Sequence, residues 1–191
     1  MVVELAHHDI IWAALLVQIG IFPSRAMAVR CLRRLREKKR IFLRDWIQIG
    51  DGHATPVYSA YEPGNHLEHD VLISQVVFAF HPHVEILEQS ERFEDKRVRV
   101  GQTILNLEID NGTEAEKILR KRLEVWRDTN ETCIWFAERP ERLRKIMALA
   151  KDMGLSNTRL LFVPIADHLA DPFGHHLANF DGQAARISKP A

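Results

Sequence analysis

Residues 132–165 read TCIWFAERPERLRKIMALAKDMGLSNTRLLFVPI. The two ends, TCIWFA and TRLLFVPI, are short runs of β-branched, aromatic and aliphatic residues, the composition of strands. The middle, PERLRKIMALAKDMG, is helical, with Pro140 in its first turn and Gly154 at its stop. A strand, a helix and a second strand in so short a span form a crossover unit. Part of the sheet is therefore expected to be parallel.

Upstream segments extend that sheet. HVEILEQSERF reads as a strand, and KRVRV-GQ-TILNLEI as a hairpin with Gly101 in the turn. Thr113 and Glu116 have the spacing of an S/T-x-x-E capping box. The helix they open is expected to reach about Thr129, with Ile118, Leu119, Leu123 and Trp126 turned inward. Before the strands, HLEHDVLISQVVFAF is apolar on most sides and predicts a buried helix, with Asn65 as its cap and Pro82 as its end. Residues 63–170 thus predict an α-β-β-β-α-β-α-β domain with a mixed sheet. The stretch 171–191 has no clear period and predicts a loosely ordered tail.

Residues 1–62 predict a separate domain. HHDIIWAALLVQI, residues 7–19, predicts one buried helix capped by Asp9 and stopped by Gly20, and no helix is read before His7. Ser24 can cap a second helix whose apolar stripe is Ala28, Cys31, Leu32 and Leu35. Two strand-like runs then flank Gly50-Asp51-Gly52, a hairpin signal. Residues 62–65, EPGN, read as a linker. Two helices followed by a hairpin outline a winged helix-turn-helix, so the whole is an α+β or α/β chain of two domains.

The length of 191 residues accommodates both. Hydrophobic residues at 46% and charged residues at 27% place the chain among ordinary globular proteins. Cys31 and Cys133 are far apart in apolar settings, which predicts no disulfide framework and a reducing environment. The apolar run Ile10–Ile21 is too short to span a bilayer, and no basic signal-peptide segment precedes it. A soluble, cytoplasmic protein is expected.

The formal net charge of zero hides an uneven distribution. Residues 25–44 carry Arg25, Arg30, Arg33, Arg34, Arg36, Lys38, Lys39, Arg40 and Arg44, opposed only by Glu37. A solvated face is the bland reading of a charged helix. Here the signs are not mixed, and clustered like charge weakens an isolated helix. A phosphate backbone would relieve that repulsion, and arginine suits bidentate contacts to phosphate or guanine. Double-stranded DNA is the expected partner, through Arg25, Arg30, Arg33, Arg34 and Lys38. Arg44, Gln48 and His53 of the hairpin are placed to touch an adjacent groove or backbone. Trp12, Trp126 and Trp135 fall on apolar faces, whereas Trp46 sits in the hairpin, where an aromatic ring can stack.

A second constellation is acidic. Glu108 and Asp110 lie two residues apart at the end of a strand and so point to one face. With Asp95 across the hairpin they could hold Mg²⁺, which would polarise a phosphate and activate water. Glu68 is a fourth candidate, and Lys117 could stabilise a scissile phosphate as the catalytic cation. The structural alternative is a strand end and helix entry, where acids are favoured by the helix dipole alone. His66 and His69, beside Asp70, do not make the three or four converging ligands zinc needs.

The order of a basic winged helix, NHLEHD, LEIDNGTEAEKI and CIWFA…RLRKIMALA…RLLFVPI resembles the replication-relaxation family of plasmids and other mobile elements, across roughly residues 7–165. The resemblance implies a winged helix fused to a restriction-endonuclease-like α/β domain. It implies a part in replication, relaxation or mobilisation, or transcription control. It also implies a metal pattern of Asp followed by Glu-x-Lys. In this chain Glu94 precedes Asp95, and the second element reads Glu108-Ile109-Asp110, without the strand lysine. The leading expectation is a DNA-binding protein with an inactive nuclease-like domain, requiring no cofactor. The alternatives are a Mg²⁺-dependent nuclease or nickase, and an adaptor for replication or mobilisation proteins. A homodimer fits any of these.

Overall fold

The computed structural model of the chain describes residues 1–49, 53–61, 66–90, 92, 94–155, 159–174, 177–179 and 181–190, and the backbone alone of Glu4 and His8. The chain is mixed α and β and divides into two units, Met1–Phe78 and Ala79–Ala191.

In the first unit, α1 (Val2–His8) and α2 (Ala13–Gln18) stand where a single helix over 7–19 was expected. Asp9 ends α1 instead of capping a longer helix, and its backbone is extended. The break has a tertiary cause. Ile11 exchanges two backbone hydrogen bonds with Tyr58, at 2.8 and 2.9 Å. The amide of Ile10 donates to Ser74 Oγ at 3.0 Å. Two consecutive β-branched residues, one bridged to a strand and one bonded to a helix side chain, outweigh local helix propensity. A helix does precede His7, contrary to the sequence reading.

Ser24 caps α3 (Arg25–Glu37) by accepting from the Met27 amide. Ala28 and Leu32 bury its inner side, with Cys31 and Leu35 half-buried beside them. Lys39 takes a left-handed φ of 55° and releases the chain into β1 (Phe42–Gln48). β1 pairs antiparallel with β2 (Ala54–Ser59), as the hairpin pattern predicts. The Gly50-Asp51-Gly52 turn, the linker at 62–65 and its cap Asn65 lie outside the described residues. α4 (Leu67–Ala79) was assigned to the second domain, with the boundary at 62/63. The division falls instead after Phe78, because Val71 and Phe78 belong to the first unit's hydrophobic core with Ile10, Leu16, Leu32 and Val57.

The second unit is a seven-stranded mixed sheet in the order β3 (Val84–Leu87), β4 (Lys96–Val100), β5 (Thr103–Asp110), β6 (Thr132–Ala137), β7 (Leu160–Pro164), β8 (Leu177–Asn179), β9 (Ala184–Ala185). β5, β6 and β7 run parallel, and the other pairs are antiparallel. The crossovers are α5 (Glu116–Val125) and α6 (Pro140–Asp152), and α7 (Ile165–Ala170) follows β7. Leu119, Leu123 and Trp126 of the α5 segment form one core with Leu143, Ile146 and Leu149 of α6 and with Cys133, Trp135 and Phe162 of the sheet. Phe136 meets His168 of α7 at a ring separation of 4.9 Å.

Three local expectations fail. The described residues of 171–191 do not form the loose tail expected: β8 and β9 extend the sheet, and Leu177 and Ile187 are buried. The capping box does not form. Asn111 Oδ1 instead accepts from both the amide and the hydroxyl of Thr113, so the turn consumes Thr113 and Ala115 becomes the N-cap. Ile118 is exposed, since the helix starts later and ends at Val125.

Candidate functional site

Arg25, Arg30, Arg33, Arg34, Arg36, Lys38, Lys39 and Arg40 are all exposed, as expected of a binding face. Arg33 pairs with Glu37 at 3.1 Å, one turn away and open to solvent. Such a pair is worth only a few tenths of a kcal/mol, about 0.3–0.5. Among the described residues, Arg25, Arg30, Arg34 and Lys38 have no carboxylate partner. Arg30, Arg34 and Lys38 line a groove of about 510 Å³ together with Phe22, Met27 and Leu35.

Arg44 is half-buried and makes contacts within the hairpin. It sits at a register shift between Leu43 and Asp45, where a bulge re-aims the side chain. Its guanidinium donates to Ser59 Oγ at 2.7 Å and to the Tyr61 carbonyl. It also lies 5.2 Å from the centre of the Phe42 ring. These contacts tie the hairpin together and engage two of the five N–H donors. Gln48 and His53 are exposed.

In the second unit, the parallel register aligns Asn106, Glu108 and Asp110 with Cys133, Trp135 and Ala137, three members of the core shared with α5 and α6. The i, i+2 logic therefore holds: all three polar residues share the helix-covered face. Each is buried, and each has a partner. Asn106 donates to Glu131 Oε2 at 3.1 Å. Glu108 accepts from Trp126 Nε1 at 3.0 Å and from Arg122. Asp110 accepts from both Nε and Nη2 of Arg142, and from the Gly112 amide at 2.8 Å.

Arg122 is the centre of this arrangement. One of its nitrogens reaches both Glu108 and Asp95, the latter at 2.7 Å, and another reaches Glu114 Oε1 at 2.8 Å. Its guanidinium lies 5.0 Å from the centre of the Trp135 ring. Asp95 also accepts the Ile109 amide at 2.6 Å, which fixes the carboxylate against β5. A pocket of about 410 Å³ opens here, lined by Arg92, Lys121 and Val125 besides these groups.

Asp95 and Glu108 are brought together, but on a guanidinium, while Asp110 belongs to Arg142. Among the described residues no group of three His, Cys, Asp or Glu is placed to hold a metal ion. The donor set does not fit Mg²⁺, because a dication between Asp95 and Glu108 would meet the fixed charge of Arg122. Lys117 is exposed, and Lys121, one turn on, lines the pocket in its place. Glu68 lies in the other unit. Arg122, Trp126 and Arg142 were missed as site residues. Arg122 and Trp126 are one helical turn apart, a signal that an arginine flanks the buried stripe.

Burial pushes the Glu108 carboxyl up to about 7, against the pull of Arg122 and with the help of nearby Asp95. Burial also works against the charge on Arg122, but Glu108, Asp95 and Glu114 more than restore it, so its pKa ends above the ordinary value. The linkage has a definite sign. Between about 4.5 and about 7 the folded state holds a proton on Glu108 that the unfolded chain releases. Stability therefore falls as pH rises through that window, by on the order of 3 kcal/mol, and is flat above it. Urea unfolding of Glu108→Gln is expected to lack this slope. A slope in that window as steep as the wild type's would show that Glu108 is not its source.

No match to this chain was found among protein-family models, curated proteins or solved structures. Among the described residues, no helix is long and apolar enough to cross a membrane.

Proposed function

We propose that the chain is a DNA-binding protein whose contact surface is the outer side of α3. The observation that carries this reading is the run of exposed, unpaired cations at Arg25, Arg30, Arg34 and Lys38, on a helix with a single acidic residue. Helix order supports it. α1, α2 and α3 are followed by the β1–β2 hairpin, and Ile11 makes a single antiparallel bridge to Tyr58. That order is consistent with a winged helix-turn-helix, in which the last helix would enter the major groove. The second unit is a scaffold or dimerisation surface in this reading, which the pairing of Asp95 and Glu108 with Arg122 and of Asp110 with Arg142 supports. A role in the replication, mobilisation or transcription control of a mobile element is what the family resemblance adds.

The test is fluorescence anisotropy with a duplex of arbitrary sequence over a range of salt. Affinity should fall steeply with salt. The Arg30→Ala/Arg33→Ala/Arg34→Ala variant should bind about two orders of magnitude more weakly and lose about three from the log–log salt slope. Binding insensitive to salt or to these substitutions would end the reading. The same samples, incubated with supercoiled plasmid and Mg²⁺, test the nuclease alternative. Nicking that disappears in Glu108→Gln would restore it.

A further inference from the structure

We infer that Trp46 is a stacking platform for unpaired bases, so that the first unit prefers duplex DNA carrying a single-stranded extension to duplex alone. The inference rests on the DNA-binding reading and specifies the substrate of that surface.

The four tryptophans divide sharply. Trp12 is 4% exposed, and Trp126 and Trp135 are fully buried, whereas Trp46 is 58% exposed. The hairpin does not need an indole there for its own packing. Leu43 and Ile47 of the same strand already pack against the core, and Trp46 stands opposite Pro56. Phe42 of the same strand is exposed as well, so the ring does not stand alone on the surface. The flanking sequence selects the occupant. Lys38, Lys39 and Arg40, all exposed, immediately precede β1, and the basic side of α3 precedes them. The nearest acid, Asp45, turns its carboxylate back onto the Trp46 amide at 2.7 Å. Cations followed by an open indole make the combination that holds single strands: charges track the phosphates while the ring stacks on a base of any identity. An acidic or purely apolar protein surface would satisfy only one of the two features.

Because the other three indoles are buried, the fraction of intrinsic fluorescence that iodide quenches reports Trp46 almost alone. The experiment compares blunt duplex, the same duplex with an oligo-dT overhang, and oligo-dT. It uses the full chain, with Trp46→Ala, Trp46→Phe and the triple arginine variant. The expected result is that overhang DNA binds on the order of tenfold tighter than blunt duplex. It should quench the indole and shield it from iodide. Trp46→Ala should lose that gain while still binding blunt duplex, and Trp46→Phe should keep much of it. Equal affinity for blunt and overhang DNA with unchanged fluorescence would overturn the platform. Duplex binding that still depends on the arginines would then leave the reading of α3 standing. No binding to any of the DNAs would remove both. A fluorescence change that follows protein concentration without DNA would assign the indole to a contact between copies of the chain and overturn the inference.

Discussion

Arg122→Ala is expected to destabilise the second unit by about 3–5 kcal/mol, the cost of stripping a buried charge of its partner. Three carboxylates converge on this guanidinium: Asp95, Glu108 and Glu114. Glu108 is 3% exposed and would retain only the Trp126 N–H. Asp95 would keep the Ile109 amide. The pocket would then hold three carboxylates without the guanidinium they share, and Glu108 would take up a proton still more readily. The loss should therefore be smaller at pH 5 than at pH 8. Adding Glu108→Gln removes the stranded charge, so the double variant should recover part of the loss at pH 8. Urea unfolding of the two single variants and the double, at both pH values, measures this as a coupling energy. Additive losses with no dependence on pH would mean that Arg122 acts through packing against Trp135 alone.

Much of the sheet was legible in the sequence because apolar runs and turn residues report it locally. TCIWFA and TRLLFVPI became adjacent parallel strands, and Gly101 turned the β4–β5 hairpin at a φ of 60°. Failures arose where a distant partner decides. Ile10 and Ile11 read as helix because the pairing with Tyr58 and Ser74 is invisible locally. β8 is held by Leu161 and Phe162, across the sheet from a segment with no period of its own. The acids were located correctly on one face, yet what they do depends on Arg122 and Arg142. In sequence each is one more charge on an amphipathic helix. Nor could spacing show that Arg44 would be spent on Ser59 and Tyr61, since the bulge that turns it inward has no composition signal.

Arg142→Ala is expected to cost a similar amount, about 3–5 kcal/mol, for a related reason. The Asp110 side chain is fully buried and Arg142 is 14% exposed. Besides its two bonds to Asp110, the guanidinium donates to the Glu114 carbonyl at 2.7 Å. Arg142 thus ties the end of β5, the turn into α5 and the first turn of α6 to one another. Without it, Asp110 keeps only the Gly112 amide and the turn loses its anchor. Hydrogen exchange at Gly112 and Thr113 should quicken well before the core strands respond. Glu114 also connects the two arginines, giving its carbonyl to Arg142 and its carboxylate to Arg122. If one loss releases Glu114, the second removes less than it would alone. The Arg122→Ala/Arg142→Ala double variant should then lie short of the sum by about 0.5–3 kcal/mol. Strict additivity would separate the sites into two independent ion pairs and remove Glu114 as their link.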